Sequence, residues 1–244
     1  MGVVAWRRTL GTHMDAYTLL KLARCAVVVA VMLAAVAMVL YPGGTYLDPA
    51  ARGYSFLQNS FSDLGSAVSW SGQRNHASPF ILAACLSLLL GAGGCFTVLI
   101  PIYSSSLGTQ RLVRASGAFV LLASLALLAA VATPHDRYPA LHGRLTLFAI
   151  GSFAVGTAML AITTRLNARV RRRVAAVWLA LTFVVLAWGA LIYVRQPTTE
   201  LQLAIPVTVQ KVVGFSLVAT LMFQSYEAER FLDDRRSPEP TCLD

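Results

Sequence analysis

Six long apolar runs limit what this chain can become: roughly Cys25–Tyr41, Phe80–Tyr103, Val113–Ala132, Leu145–Thr164, Val174–Val194 and Leu203–Tyr226. Each approaches the roughly 20 residues a helix needs to cross a bilayer. Of the 244 residues 57% are hydrophobic and 13% charged, against about 25% charged in a water-soluble domain. The runs and their mostly short links use most of the length. The expected fold is therefore all-α, a polytopic integral membrane protein built as a bundle of six transmembrane helices over residues 25–226. An N-terminal segment, 1–24, precedes it, and a polar tail, 227–244, is expected to fray from helix into disorder.

The net charge of +9 is distributed in a way that speaks of topology rather than of a nucleic-acid surface. Arg7, Arg8, Lys21 and Arg24 precede the first run, Arg111 and Arg114 lie in the second link, and Arg165, Arg169, Arg171, Arg172 and Arg173 in the fourth. Arg230, Arg235 and Arg236 follow the last run, making fourteen on that side. Arg52, Arg74, Arg137, Arg144 and Arg195 make five on the other. Basic residues near span ends stay cytoplasmic, so both termini are predicted inside, with the protein integral to the cell membrane. Arg169, Arg171, Arg172 and Arg173 read as a topology anchor and as a candidate contact for anionic lipid headgroups. Membrane lipids are the expected partners; no nucleic acid is expected, and no partner protein can be named.

Residues 1–24 do not read as a signal peptide, because the basic region is long and no small-residue cleavage site follows the apolar run. The first run reads instead as an uncleaved anchor, and Met14 offers an alternative start that would make residues 1–13 dispensable. Cys25 and Cys242 fall on the basic side, while Cys85 and Cys95 share one predicted helix. No disulfide is expected. Tyr41, Tyr46, Trp188 and Tyr193 are placed as aromatic belt residues at the outer interface, and Tyr103, Trp178 and Tyr226 at the inner. Ser87, Gly91 and Cys95, with Gly93 and Gly94, and Ser152 with Gly156, are small residues at spacings that allow close helix approach.

The link from Pro42 to Pro79 is the only long one. It opens with the turn signal Pro42-Gly43-Gly44 and closes with Ser78-Pro79, read as a helix N-cap and first helical position. Between them a mixture of apolar and small polar residues suits a short helix or re-entrant piece at the outer interface.

Few residues can carry chemistry. Asp63 follows Ser60 by three positions, so it either closes a capping box or stands as a carboxylate at the bundle mouth. Lys211 lies about eight residues into the last run, roughly 12 Å deep at 1.5 Å per residue. A lysine at a helix centre in the membrane costs roughly 2.5–3.5 kcal/mol, so Lys211 is expected to face the interior and pair with Asp63 or Asp136, with Asp48 a weaker partner. Gln210 beside it adds an amide, and Pro206 a turn earlier loosens the helix. The third link holds His135, Asp136, Arg137, His142 and Arg144. Its imidazoles suit acid, base or ligand roles, and its guanidiniums suit phosphate or carboxylate. Ser60, Ser62 and Ser66 lie near Asp63 and within conceivable approach of His142, although no GxSxG motif is present. No cofactor is predicted; His76, His135 and His142 are the zinc candidates, without metal-type spacing.

Asn59-Ser-Phe-Ser-Asp-Leu-Gly65, Asn75 before the second run, His142 opening the fourth and Gln210-Lys211 in the sixth resemble the six-span prokaryotic family known as domain of unknown function 998. That family is similar in turn to the eukaryotic Frag/DRAM/Sfk-type membrane proteins. The resemblance spans about residues 25–226. It implies a six-helix bundle with an extracytoplasmic polar pocket and, by analogy of fold, lipid handling. The site is also distantly similar to intramembrane ceramidase-like hydrolases, which use serine, aspartate and histidines around zinc. This chain differs in having six runs rather than seven and no paired histidines in the last.

The leading expectation is an accessory protein that binds a lipid or other amphiphile in an outward pocket lined by Asn59, Ser62, Asp63, Asn75, His142, Arg144, Gln210 and Lys211. One alternative is an intramembrane lipid hydrolase or transferase with Asp63 and His142 as catalytic groups; a second is a small proton-coupled transporter using Asp63 and Lys211.

Overall fold

The computed structural model describes residues 16–99, 106–168, 170–192 and 197–236. Arg7, Arg8, Met14, Tyr103, Arg169, Tyr193, Arg195 and Cys242 lie outside the described residues, as do the side chains of Cys95, Arg235 and Arg236. Seven helices are present among the described residues: α1 (Ala16–Val39), α2 (Phe61–Leu64), α3 (Ser78–Leu99), α4 (Leu107–Ala132), α5 (Pro139–Leu166), α6 (Arg172–Leu191) and α7 (Glu200–Arg236). No strand occurs among them, only isolated bridges joining Gly43 to Arg52 and Val68 to Arg74 within the long link.

Over the described residues, each apolar run coincides with a helix. Five of these, α1, α4, α5, α6 and α7, are long and apolar enough to cross a membrane, and α3 carries a shorter described apolar stretch, Ser78–Gly94. The helices start before their apolar runs because local signals set their ends. At α4, Ser106 Oγ accepts from Thr109 N at 3.2 Å while Thr109 Oγ1 accepts from Ser106 N at 3.0 Å, a closed capping box. At α5, Pro139 occupies the first helical position, where its missing N–H costs nothing. α7 continues through Pro206 and on to Arg236, ten residues past the expected boundary at Tyr226. Ser78 is not a cap: it lies inside α3, and its hydroxyl donates to Ala37 O of α1 at 3.0 Å.

Each long helix packs on the next in sequence, and α7 returns to α1, closing a ring. The perimeter shows large apolar side chains such as Met32, Phe148, Phe183 and Phe215, all exposed, as suits a surface facing hydrocarbon. Small residues behave differently on different helices. At the α4–α5 contact a Cβ on Gly156 would stand 2.9 Å from Val120 and 3.2 Å from Ser116 O, and Ser116 Oγ donates to Gly156 O at 2.8 Å. Hydrogen bonding and close approach therefore coincide there. On α3 the expectation fails: Gly91, Gly93 and Gly94 have nothing within 4 Å of a built Cβ, so these glycines open space instead of closing it.

The belt assignments also divide. Tyr46 and Tyr226 are exposed, whereas Tyr41 is buried under the long link and Trp178 is buried facing the interior. At the basic end Arg24 of α1 meets Glu229 of α7 at 2.7 Å, Arg173 of α6 pairs with Glu227, and Arg230 lies 3.5 Å from Glu227. These pairs keep α7 helical beyond its apolar run and remove Arg173 from the cluster of free arginines; Arg171 and Arg172 are exposed.

Candidate functional site

At the opposite end the long link folds over the ring, and α2 is its centre. The sequence expectation of a capping box is met there. Ser60 N donates to Asp63 Oδ2 at 2.6 Å, and Asp63 N donates to Ser60 Oγ at 3.2 Å. Asp63 is 6% exposed and does more than cap. Its Oδ2 also accepts from Asn59 Nδ2 at 3.3 Å, and its Oδ1 accepts from Trp70 Nε1 at 3.0 Å, with His135 Nε2 3.6 Å away. A buried carboxylate with this many donors is a structural hub, because each donor lost would leave a polar group unpaired.

Asn59 is wholly buried and fully engaged. Its Nδ2 donates to Gly44 O at 2.9 Å as well as to Asp63, and its Oδ1 accepts from Ser55 N at 2.8 Å. Its carbonyl accepts from Tyr54 Oη at 2.8 Å and from Lys211 Nζ at 2.6 Å. That last bond corrects the expected ion pair. Lys211 does face the interior, 2% exposed, yet it makes no ion pair among the described residues. Its ammonium sits among the rings of Phe56, Tyr54 and Phe61, at 5.0, 5.5 and 5.7 Å from their centroids. Ring faces attract a desolvated cation, so three aromatic faces and one carbonyl stand where an acid was expected. Gln210 supplies the second grip, its Oε1 accepting from Phe61 N at 2.8 Å.

Asp136 also serves the link: its two oxygens accept from Ala67 N at 3.0 Å and Val68 N at 3.2 Å. Asp48 closes a local turn by accepting from Ala50 N at 2.9 Å. Asn75 is buried; its Nδ2 donates to Leu64 O at 3.1 Å, while its Oδ1 has no protein partner among the described residues. Ser66 Oγ donates to Asp63 O at 2.6 Å. Tyr54 donates to the Asn59 carbonyl, while Tyr41 Oη accepts from Trp70 N at 3.3 Å, and both phenols are held protonated. Burial pushes Tyr41 up to about 12, with the Asp63 carboxylate adding to the rise against the opposing bond from Trp70 N, and burial raises Tyr54 further.

His142 is positioned by two carbonyls. Its Nδ1 lies 2.9 Å from Ala130 O and 3.0 Å from Thr133 O, both acceptors only, which assigns the proton to Nδ1. The bare Nε2 then faces Ser62 Oγ at 3.3 Å. His135 lies nearby, its ring tilted against those of His142 and Trp70 at 5.9 and 5.8 Å, and its buried Nδ1 has no partner among the described residues. The structure thus gathers Asn59, Ser62, Asp63, Asn75, His142, Gln210 and Lys211 around α2. It leaves Arg144 and the zinc candidate His76 exposed, and no group of three metal-ligating side chains suited to an ion occurs among the described residues. Sequence reasoning missed Tyr54, Phe56 and Trp70. Aromatic residues in a loop carry no signal of what they will face, although the Tyr54-x-Phe56 alternation hinted at one shared face.

Beneath this cluster lies an apolar cavity of about 140 Å³ at the centre of the ring, partly open and lined from five helices, α3 to α7. Leu86, Val120, Leu127, Phe153, Trp178 and Leu217 are among its walls. Leu127 is three residues from Ala130, whose carbonyl holds His142, and Val213 is two from Lys211. The cavity therefore begins about one helical turn, roughly 5 Å, below the polar cluster. Gly93 lines it, which accounts for the open space beside that glycine; Gly91 and Gly94 are exposed. Comparison of the chain with protein-family models, with curated proteins and with solved structures returned no match.

Proposed function

We propose that this protein crosses the cell membrane six times, with its basic end and both termini in the cytoplasm, and holds a lipid or similar amphiphile at the long-link end. The acyl part enters the central cavity. The polar part meets Ser62, His142 and the exposed Arg144 above it. The observation that carries this reading is an apolar cavity that begins about one helical turn below a buried polar cluster. Apolar walls favour an apolar occupant, here a run of methylenes. The resemblance to the six-span prokaryotic family supports the same reading. At the basic end, Arg171 and Arg172 are free to meet anionic headgroups. Lys211, Asp63 and Asn59 shape the site without contacting the ligand, since their polar atoms are already engaged.

Mass spectrometry of lipid extracted from protein purified in mild detergent tests this. A defined amphiphile should co-purify with the unaltered chain. Leu217→Trp, which fills the cavity, should release it while the protein remains folded by thermal melting. The same lipid profile from both proteins would overturn the proposal.

A further inference from the structure

We infer that Ser62 and His142 form a nucleophile–base pair that cleaves the carboxylic ester of an acyl lipid; the choice of substrate rests on the lipid reading above, while the pair itself rests on geometry alone. Three features converge. Ser62 Oγ and His142 Nε2 are 3.3 Å apart, within the looser range found before substrate binds. The two carbonyls on Nδ1 fix the tautomer that leaves Nε2 able to accept a proton, the part a carboxylate plays in serine hydrolases. Ser62 is half-buried at the mouth of the bundle and forms no other side-chain hydrogen bond among the described residues, whereas Ser60 and Ser66 are committed to α2. Asp63 is unsuited to act as base, since its oxygens already accept from Ser60 N, Asn59 Nδ2 and Trp70 Nε1.

The chemistry balances with water as the only co-reactant. Ser62 Oγ bonds to the ester carbonyl carbon as His142 Nε2 takes its proton, and the carbonyl π pair moves onto oxygen. The tetrahedral adduct collapses, the bond to the alcohol breaks, and the departing alkoxide takes the proton from Nε2. Water then attacks the acyl-serine, giving one proton to Nε2. Collapse frees the acid and returns that proton to Ser62. The net reaction is ester plus water to acid plus alcohol. A cavity one turn below the pair is placed to hold the acyl chain of such an ester.

The test uses the full chain in detergent with a fluorophosphonate probe, which reacts covalently with activated serines. Peptide mapping should find the label on Ser62. The labelling rate should rise with pH as the base loses its proton, a dependence that a merely structural hydrogen bond would not give. His142→Ala should slow labelling by about 100-fold or more, Ser62→Ala should abolish it, and Ser87→Ala, on the exposed face of α3, should leave it unchanged. Absence of label on Ser62 in the unaltered protein overturns the proposal, even if His142→Ala fails to fold. A rate independent of pH overturns it equally. Nitrophenyl esters then address the substrate: faster cleavage of octanoate than of acetate supports an acyl lipid, and equal rates reject it. Label on Ser62 without co-purified lipid upholds the pair and removes the lipid reading; lipid without label does the reverse.

Discussion

The two ends of the bundle handle charge in opposite ways. At the basic end Arg24, Arg173 and Arg230 meet Glu229 and Glu227 in ion pairs that are partly open to solvent, with Arg230 61% exposed and Arg173 46%. At the long-link end Lys211 is almost wholly buried without an acid in direct contact, and Asp63 is buried among amide and indole donors with His135 Nε2 3.6 Å away. Pairing of opposite charges is simple and screened at the first end. At the second, Lys211 and Asp63 make no direct pair and are held by carbonyls, amides and ring faces, with the carboxylate still close enough to act on the ammonium. That separation leaves Ser62 and His142 to each other, uncommitted to any ion pair. The basic end thus holds helices together, while the long-link end keeps a polar constellation in a fixed geometry.

Truncation should break this comparison most sharply. Asp63→Ala removes the acceptor of three donors and should cost about 3 kcal/mol or more, whereas Glu227→Ala should cost about 1–2 kcal/mol and respond to salt. Thermal melting in detergent at low and high salt measures both; equal losses would erase the distinction. Next in size is Lys211. Lys211→Ala leaves a void among three rings and an unpaired Asn59 carbonyl, for a loss of about 2–4 kcal/mol. Lys211→Met refills the space without a charge to bury and should recover most of that loss. If the methionine variant melts as low as the alanine variant, the ammonium itself is required.

The smallest effect is on alkaline stability. Tyr41 is raised to about 12, above its ordinary value near 10. The stability linked to its protonated form is fully present below pH about 10 and is lost as pH rises through about 12. Melting temperature should hold up to about pH 9.5 and then fall, and Tyr41→Phe should flatten the decline. A decline unchanged by that substitution would place the sensitive group elsewhere.

Much of this arrangement was legible in the chain. The apolar runs marked the long helices because bilayer thickness imposes a length on any spanning helix. Ser60 and Asp63 announced their capping box by spacing, since a cap is a local structure of four residues. Lys211 was recognisable as inward-facing because of what exposure to hydrocarbon would cost. Its partner was not legible. A backbone carbonyl has no residue type, and the three rings lie some 150 positions away in sequence from the lysine they surround. Small residues misled on α3 for a related reason: glycine permits close approach but does not require it, and only a neighbour at hand makes it matter.

The sequence by itself determined that the chain is helical and apolar, where its helices run, which side is basic, and which few polar residues must be accommodated. These properties follow from composition and short-range spacing. The tertiary structure alone decided who meets whom. It put Asn59 between Asp63 and Lys211, set His142 against Ser62, and opened a cavity beneath them. The physical reason is that buried polar groups take whichever partner the packing of distant segments brings within about 3 Å, and one-dimensional spacing carries no record of that choice.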